Sequence, residues 1–274
     1  MKYIVEKDWL LRNLDDSKIR IVDCRFSLAD KEQGRQEYEE SHLPGAVFFD
    51  VVKDLSSTVK EHGGRHPFPN LPDFIHKLEQ AGIDETVTIV AYDNGECSFA
   101  GRFWWLLHYL GHDKVYVLNG GFKQWRAANY PLSADIPSFE KVHFHSHIRP
   151  ELLADIEEVK AVSAGKKAAI LIDSREAKRY LGMEEPIDKK AGHIPGAINK
   201  PYIDGFSGGQ FKPAEDQKER FKDVDPDKQI IVYCGSGITA TPNFLALKEA
   251  GFDKVKLYLG SFSDWISYDD NIIE

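Results

Sequence analysis

Cysteine is scarce: Cys24, Cys97 and Cys234 are the only three in 274 residues. An odd number of widely spaced cysteines makes neither a disulfide framework nor a paired-cysteine metal knuckle. Any that matters is expected to matter as a thiol. Long apolar runs are absent as well, with nothing approaching the roughly 18 consecutive apolar residues of a membrane helix. The opening Met1-Lys2-Tyr3-Ile4-Val5-Glu6-Lys7 carries charge where a signal peptide has its apolar stretch. A cytoplasmic protein with no membrane partner is therefore expected. Excess positive charge is missing too: Lys+Arg number 35 against 44 Asp+Glu, a net charge of -9, which disfavours a protein that wraps nucleic acid. That balance leaves room for a local basic pocket around a small anion. What is present is an ordinary globular composition, 42% hydrophobic and 29% charged, enough for a substantial core and without the bias of a disordered chain.

The chain repeats itself. Ile21-Val22-Asp23-Cys24-Arg25 recurs as Leu171-Ile172-Asp173-Ser174-Arg175, and His42-Leu43-Pro44-Gly45-Ala46 as His193-Ile194-Pro195-Gly196-Ala197. Further on, Ile89-Val90-Ala91-Tyr92-Asp93 matches Ile230-Ile231-Val232-Tyr233-Cys234, and Gly120-Gly121-Phe122 with Trp125 matches Gly260-Ser261-Phe262 with Trp265. Preserved order with small drifts in spacing implies two homologous domains, 1–133 and 150–274, joined by a linker over 134–149. The linker holds His143, His145 and His147 on one face of an extended segment, a set able to hold zinc. No fourth ligand stands near them, so an exposed strand alternating with Val142, Phe144 and Ile148 is the reading preferred.

Within each half, short β-branched runs alternate with amphipathic stretches. Ala169–Ile172 and Ile230–Tyr233 read as buried parallel strands. Ile156–Ala164 with Asp155 as N-cap, Ala214–Lys222 and Thr239–Ala250 closed by Gly251 read as helices. The fold class is α/β: two tandem domains, each a mostly parallel central sheet with helices on both faces. Ligands in such folds gather at the carboxyl ends of the strands.

One such strand end is chemically distinctive. Cys234 closes a buried strand, Gly235-Ser236-Gly237-Ile238-Thr239 follows, and a helix then opens with Pro242 in its first turn. The sulfur is thereby expected over backbone N–H groups at a helix N-terminus, a cradle for an anion and for an anionic substrate group beside it. A free cysteine is only about 3% thiolate at neutral pH, and helix N-termini commonly lower the pKa of a thiol to about 3.5–7.5. A shift of about two units needs roughly 2.7 kcal/mol of differential stabilisation, within reach of a handful of N–H dipoles. Gly235 and Gly237 are expected to take positive φ, and the Ser236 and Thr239 hydroxyls to donate to the sulfur or the anion. A phosphatase loop would need an arginine six positions after the cysteine to clamp phosphate; residue 240 is Ala.

Taken together, the tandem Asp-x-Arg strands, the paired His-x-Pro-Gly-Ala segments, the Gly-Gly-Phe ending and the Cys234–Thr239 loop resemble the two-domain rhodanese sulfurtransferases over nearly the whole chain. The resemblance implies a catalytic second domain in which Cys234 takes a sulfane sulfur from a small anionic donor and passes the persulfide sulfur to cyanide, a thiol or thioredoxin. It implies no metal or organic cofactor. The backbone of Gly235, Gly237, Ile238 and Ala240 would line the substrate site with Ser236 and Thr239, and Arg179 matches the family arginine that binds the donor anion. Cys-Gly-Ser-Gly-Ile-Thr is similar to the loop of mercaptopyruvate-using members, which usually carry a second arginine nine positions after the first. Here that residue is Asp188, and Lys189 or Lys190 is no bidentate fork, so thiosulfate stays open as donor. His66, in Gly64-Arg65-His66-Pro67, matches a histidine that reaches the loop serine in the family; its partner acid has no clear counterpart, Val52 standing at the nearest match with Asp50 and Asp54 beside it. The first domain has Asp93 at the nucleophile position and is expected to be silent, with Asp93 and Glu96 opposing any Cys97 thiolate. His42 and His193, present in both copies, are expected to serve the fold. The competing reading from another class is a non-catalytic sulfur-binding or protein-interaction module.

Overall fold

The computed structural model describes residues 1–274, which divide into two compact units. The first comprises Met1–Ser57, Pro69–Arg149 and Gly208–Phe211; the second comprises Thr58–Phe68, Pro150–Ser207 and Lys212–Glu274. The division is therefore not a single cut in the chain: the segment carrying Arg65 and His66 belongs with the second unit.

In the first unit β1 (Ile4–Val5), β2 (Ile19–Asp23), β3 (Ala46–Phe48), β4 (Thr88–Tyr92) and β5 (Val115–Leu118) form one parallel sheet in the order β1-β5-β4-β2-β3. The central β4 is buried from Ile89 to Tyr92, as a parallel strand covered on both faces must be. Helix Ser98–Tyr109 follows it and is buried almost all round, Trp104 and Trp105 included, which is why its sequence shows no amphipathic stripe. The second unit has a four-stranded parallel sheet in the order Val255–Leu257, Ile230–Tyr233, Ile170–Asp173, Ile198–Asn199. Its helices include Ile156–Ser163, whose N-cap Asp155 accepts the Glu158 N–H at 2.7 Å, and Ala240–Glu249, which follows the Cys234 loop. No helix is long and apolar enough to cross a membrane.

The repeat in sequence is a repeat in chemistry. Strand register sets Asp23 beside Tyr92 in one unit and Asp173 beside Tyr233 in the other. Arg25 Nη2 donates to Asp23 at 2.7 Å and to the Ser41 carbonyl at 2.7 Å; Arg175 Nη2 donates to Asp173 at 2.6 Å and to the Gly192 carbonyl at 2.7 Å. Each guanidinium lies on an aromatic face, Phe122 at 3.9 Å or Phe262 at 4.1 Å. The pair thus ties the end of its strand to the His-x-Pro-Gly turn. The turn histidines are spent on that turn: His42 Nδ1 bonds the Tyr38 carbonyl at 2.6 Å and His193 Nδ1 the Tyr180 carbonyl at 2.8 Å, with the rings stacked on those same tyrosines.

The connector differs from an exposed strand. It forms no ladder and lies along the first unit, with Phe144 buried, the His147 N–H on the Leu110 carbonyl at 2.8 Å and the Arg149 N–H on the Tyr109 carbonyl at 2.8 Å. His143 and His145 are drawn to separate carboxylates, Glu79 at 2.9 Å and Glu85 at 3.1 Å.

Replacing Asp173 with Ala leaves the Arg175 guanidinium buried without its main counter-charge. The second unit is expected to lose about 3–5 kcal/mol, measured by urea unfolding against wild type; a loss below 1 kcal/mol would show that the pair does not hold the strand end.

Candidate active site

Strand Ile230–Tyr233, buried at every position, delivers Cys234 to the carboxyl edge of its sheet, and helix Ala240–Glu249 begins six residues later. The loop is pinned from behind. Cys234 and Gly235 carbonyls accept the N–H groups of Phe262 and Ser263, each at 2.9 Å. Gly237 is the loop's left-handed residue, at φ +73°, and a Cβ there would meet the Leu259 carbonyl oxygen at 2.2 Å. Gly235 does not take positive φ; its need for hydrogen comes from what lies over it, since a Cβ would fall 2.9 Å from Arg65 Nη2, 3.3 Å from Arg179 Nη2 and 3.4 Å from Asp188 Oδ2. Thr239 stands at the N-cap in helical backbone and makes no capping bond with its side chain, while Ile238 and Ala240 are buried.

The Ser236 hydroxyl meets His66 Nδ1 at 2.9 Å. The hydroxyl that the fold brings to the sulfur is that of Ser261: its Oγ accepts the Cys234 N–H at 3.1 Å, donates to the Tyr258 carbonyl at 2.9 Å and lies 3.9 Å from Cys234 Sγ. Ser261 holds φ +56°, where its counterpart Gly121 holds +53°. A side chain in that region costs roughly 1–2 kcal/mol, so the serine persists at a position that glycine fills without strain. The exchange of Gly121 for Ser261 between the two copies was the signal in the sequence.

The first unit supplies an internal comparison. Asp93 stands where Cys234 stands, and its carboxylate accepts N–H groups from Gly95 at 2.8 Å, Cys97 at 3.1 Å, Phe99 at 3.0 Å and Ala100 at 3.2 Å. Four amides converge on one buried anion that the chain itself provides. Burial, and Asp93 after it, pushes the Cys97 thiol well up; burial, then Asp23 and Asp93, does the same to Cys24. Neither is a ready thiolate. Asp50 and Asp54 are occupied locally, Asp50 with the N–H groups of Val52 and Lys53, Asp54 with Lys77.

Charge around Cys234 forms a ladder that sequence spacing did not show. Glu185 takes Arg175 Nη1 at 3.3 Å and Arg179 Nη2 at 2.8 Å; Arg179 Nη2 also reaches Asp188 at 2.7 Å; Asp188 in turn pairs with Arg65. The second guanidinium over the loop is thus Arg65, not Lys189 or Lys190, the latter facing Asp269 at 3.9 Å. Burial works against the Arg65 charge and lowers its pKa, with the Cys234 sulfur the chief opposing influence.

Comparison with known proteins bears on the whole arrangement. The rhodanese-like domain model matches twice, over residues 6–128 and 155–268. The chain belongs to the rhodanese family. It is a two-domain rhodanese sulfurtransferase by its relatives as well: it is 40% identical over 264 residues to a probable 3-mercaptopyruvate sulfurtransferase of Pseudomonas aeruginosa, covering 94% of this chain and 93% of that protein. It is 30% identical to a thiosulfate sulfurtransferase of Gallus gallus, covering 96% and 92%. A crystal structure of a 3-mercaptopyruvate sulfurtransferase from Escherichia coli superposes with a TM-score of 0.83 at 32% identity, covering 96% of this rhodanese and all of that chain.

Two glycines of the second unit separate strain from collision. Gly196 and Gly237 share positive φ, +77° and +73°, but a Cβ at Gly196 meets nothing within 4 Å. Gly196→Ala is expected to cost about 1–2 kcal/mol and Gly237→Ala at least about 2 kcal/mol more, because the Leu259 carbonyl cannot yield without moving the strand end. Equal losses in chemical unfolding would remove the collision from the account.

Proposed function

We propose that this rhodanese moves a sulfane sulfur from a small anionic donor through a persulfide on Cys234, with 3-mercaptopyruvate preferred over thiosulfate. The observation that carries the donor choice is the His66–Ser236 hydrogen bond beside the nucleophile. The two donors differ in what leaves. The Cys234 thiolate attacks the sulfur of mercaptopyruvate, the carbon–sulfur bond breaks, and the electron pair remains on pyruvate enolate, which must take a proton at carbon. Attack on the outer sulfur of thiosulfate breaks a sulfur–sulfur bond and releases sulfite, which needs none. His66, relaying a proton through Ser236 Oγ, supplies the first need and is superfluous to the second.

The amides of Ser236, Ile238 and Ala240 are the counterparts of those that hold Asp93 in the first unit, and they hold the sulfur anion here, with Gly235 and Gly237 allowing the close approach. Thr239 adds a hydroxyl at the rim. Arg179 binds the donor's carboxylate. In the second half-reaction a thiophilic acceptor, cyanide, a small thiol or thioredoxin, attacks the outer sulfur and restores the Cys234 thiolate. The first domain, its cradle filled by Asp93, does no chemistry. All three cysteines are unpaired, which supports a reducing, cytoplasmic setting.

Mass spectrometry after donor treatment is expected to find a sulfur adduct of about 32 Da confined to Cys234. Cys234→Ser abolishes transfer, whereas Cys24→Ser and Cys97→Ser retain it; transfer at the wild-type rate by Cys234→Ser would dispose of the mechanism. His66→Ala is expected to lower kcat for mercaptopyruvate by about 10²-fold while changing kcat for thiosulfate less than threefold. Equal losses with both donors would make His66 a structural residue. Arg179→Ala raises KM for mercaptopyruvate by about tenfold or more, checked by steady-state kinetics.

A further inference from the structure

The place of the family's second arginine is taken by a carboxylate, and that carboxylate is not idle. Asp188 is 1% exposed at its side chain and lies between two guanidinium groups, Arg179 and Arg65, directly over Gly235. Its neighbour Glu185 is differently held: it accepts the N–H groups of Ile187 and Asp188 at 3.0 and 2.9 Å as well as Arg175 and Arg179. Glu185 is a fixed anchor, and the Asp188 carboxylate is bonded through the two arginines that a donor anion would seek.

Counting charges along the ladder gives Arg175, Arg179 and Arg65 against Asp173, Glu185 and Asp188, so the cluster is neutral as it stands. An anionic donor entering beside a Cys234 thiolate would leave a largely buried cluster with surplus negative charge, unless Asp188 leaves. Glu185 ties the backbone at Asp188, and beyond that tie the chain around Asp188 is irregular, so its carboxylate can swing out while the anchor stays. Residues 182–192 contain no helix or strand; the loop begins and ends in left-handed glycines, Gly182 at +68° and Gly192 at +110°. A Cβ on Gly182 would lie 3.4 Å from the Gly192 nitrogen, so the ends of the loop are in contact, as in a compact Ω-loop. Met183 and Ile187 on it are 70% and 48% exposed, so neither anchors it in the core.

We propose that Asp188 is a resident carboxylate on a hinged Ω-loop, occupying the anion site between Arg65 and Arg179 until the donor's own anionic group displaces it, and that Arg65 is the second donor-binding guanidinium. The proposal rests on the sulfurtransferase reading for its donor but not for its anion site. A tethered carboxylate competes at a high effective concentration and reduces apparent affinity by the fraction of time the site is free. It acts as a threshold that a weak monoanion such as chloride or acetate does not pass and a well-fitted α-keto carboxylate does.

The test separates anion binding from transfer. Pyruvate, which carries the carboxylate but no sulfur, is titrated calorimetrically into wild type, Asp188→Asn, Arg65→Ala and Arg65→Lys, alongside donor KM and kcat. Asp188→Asn is expected to bind pyruvate at least about fivefold more tightly and to lower donor KM with kcat within twofold. Arg65→Ala weakens both about tenfold, and Arg65→Lys recovers part of the loss, since an ammonium is not a fork. Pyruvate affinity unchanged or weaker in Asp188→Asn overturns the resident-carboxylate role, and affinity unchanged in both Arg65 variants overturns the assignment of Arg65. Should Asp188→Asn fail to fold, Asp188→Ser takes its place in the same titration with the same expected and overturning results. Wild type that forms no Cys234 adduct, while pyruvate affinity follows these substitutions, would remove the transfer reading and leave this one standing.

Discussion

Asp173 and Arg175 are both removed from solvent, and each is intelligible only in the presence of the other. A buried guanidinium demands several acceptors at once, and this one finds them in Asp173, the Gly192 carbonyl and Glu185. One of those acceptors is at a strand end and the other two are Glu185 and the closing Gly192 of the 182–192 loop, so satisfying one side chain ties that loop to the strand. The ladder then continues outward through Glu185 to Arg179 and through Asp188 to Arg65, and it ends over Gly235, next in the chain to Cys234. In the first unit the same Asp-x-Arg pair bonds the Ser41 carbonyl and has Glu37 3.9 Å from Arg25 Nη1, against 3.3 Å for Glu185 from Arg175 Nη1 in the second. The structural clamp and the proposed donor site are successive rungs of one charge network.

The two copies show what a cradle of amides does with different occupants. In the first, the chain places its own carboxylate among four N–H groups and the loop becomes a closed, satisfied turn. In the second, a cysteine stands at the head of the corresponding loop, and a serine has replaced glycine at a left-handed position behind it. The burial that makes Asp93, Cys97 and Cys24 reluctant to ionise is a general cost of the interior. Behind Cys234 the Ser261 hydroxyl accepts the Cys234 N–H and donates its one proton to the Tyr258 carbonyl, so it fixes the strand end that carries the sulfur.

Much of this was legible in the residues. The repeat announced two copies of one α/β unit because parallel strands buried on both faces leave contiguous apolar runs and glycine-rich ends. Cys234 stood out because a nucleophile, two glycines and a helix start fell within one short segment. His66 was visible through its motif. Arg65 was missed although it adjoins His66, because nothing in a local pattern says which way an arginine points; its meaning depends on Asp188, more than a hundred positions away. Gly235 was credited with a positive φ it does not have, since spacing cannot distinguish a glycine needed for its backbone from one needed for the space above it. The connector was taken for an exposed strand because alternation describes any extended segment, laddered or not.

The sequence by itself determined the fold, the doubled domain and the position of Cys234 at a buried strand end before a helix, all of which follow from local periodicity and from order along the chain. Only the tertiary structure decided which guanidinium groups stand over Gly235, that a carboxylate already lies between them, and that the Ser261 hydroxyl lies 3.9 Å from Cys234 Sγ. These are outcomes of charge satisfaction among residues far apart in the chain, where a buried arginine takes whichever acceptors the packed backbone presents, and no one-dimensional spacing encodes that choice.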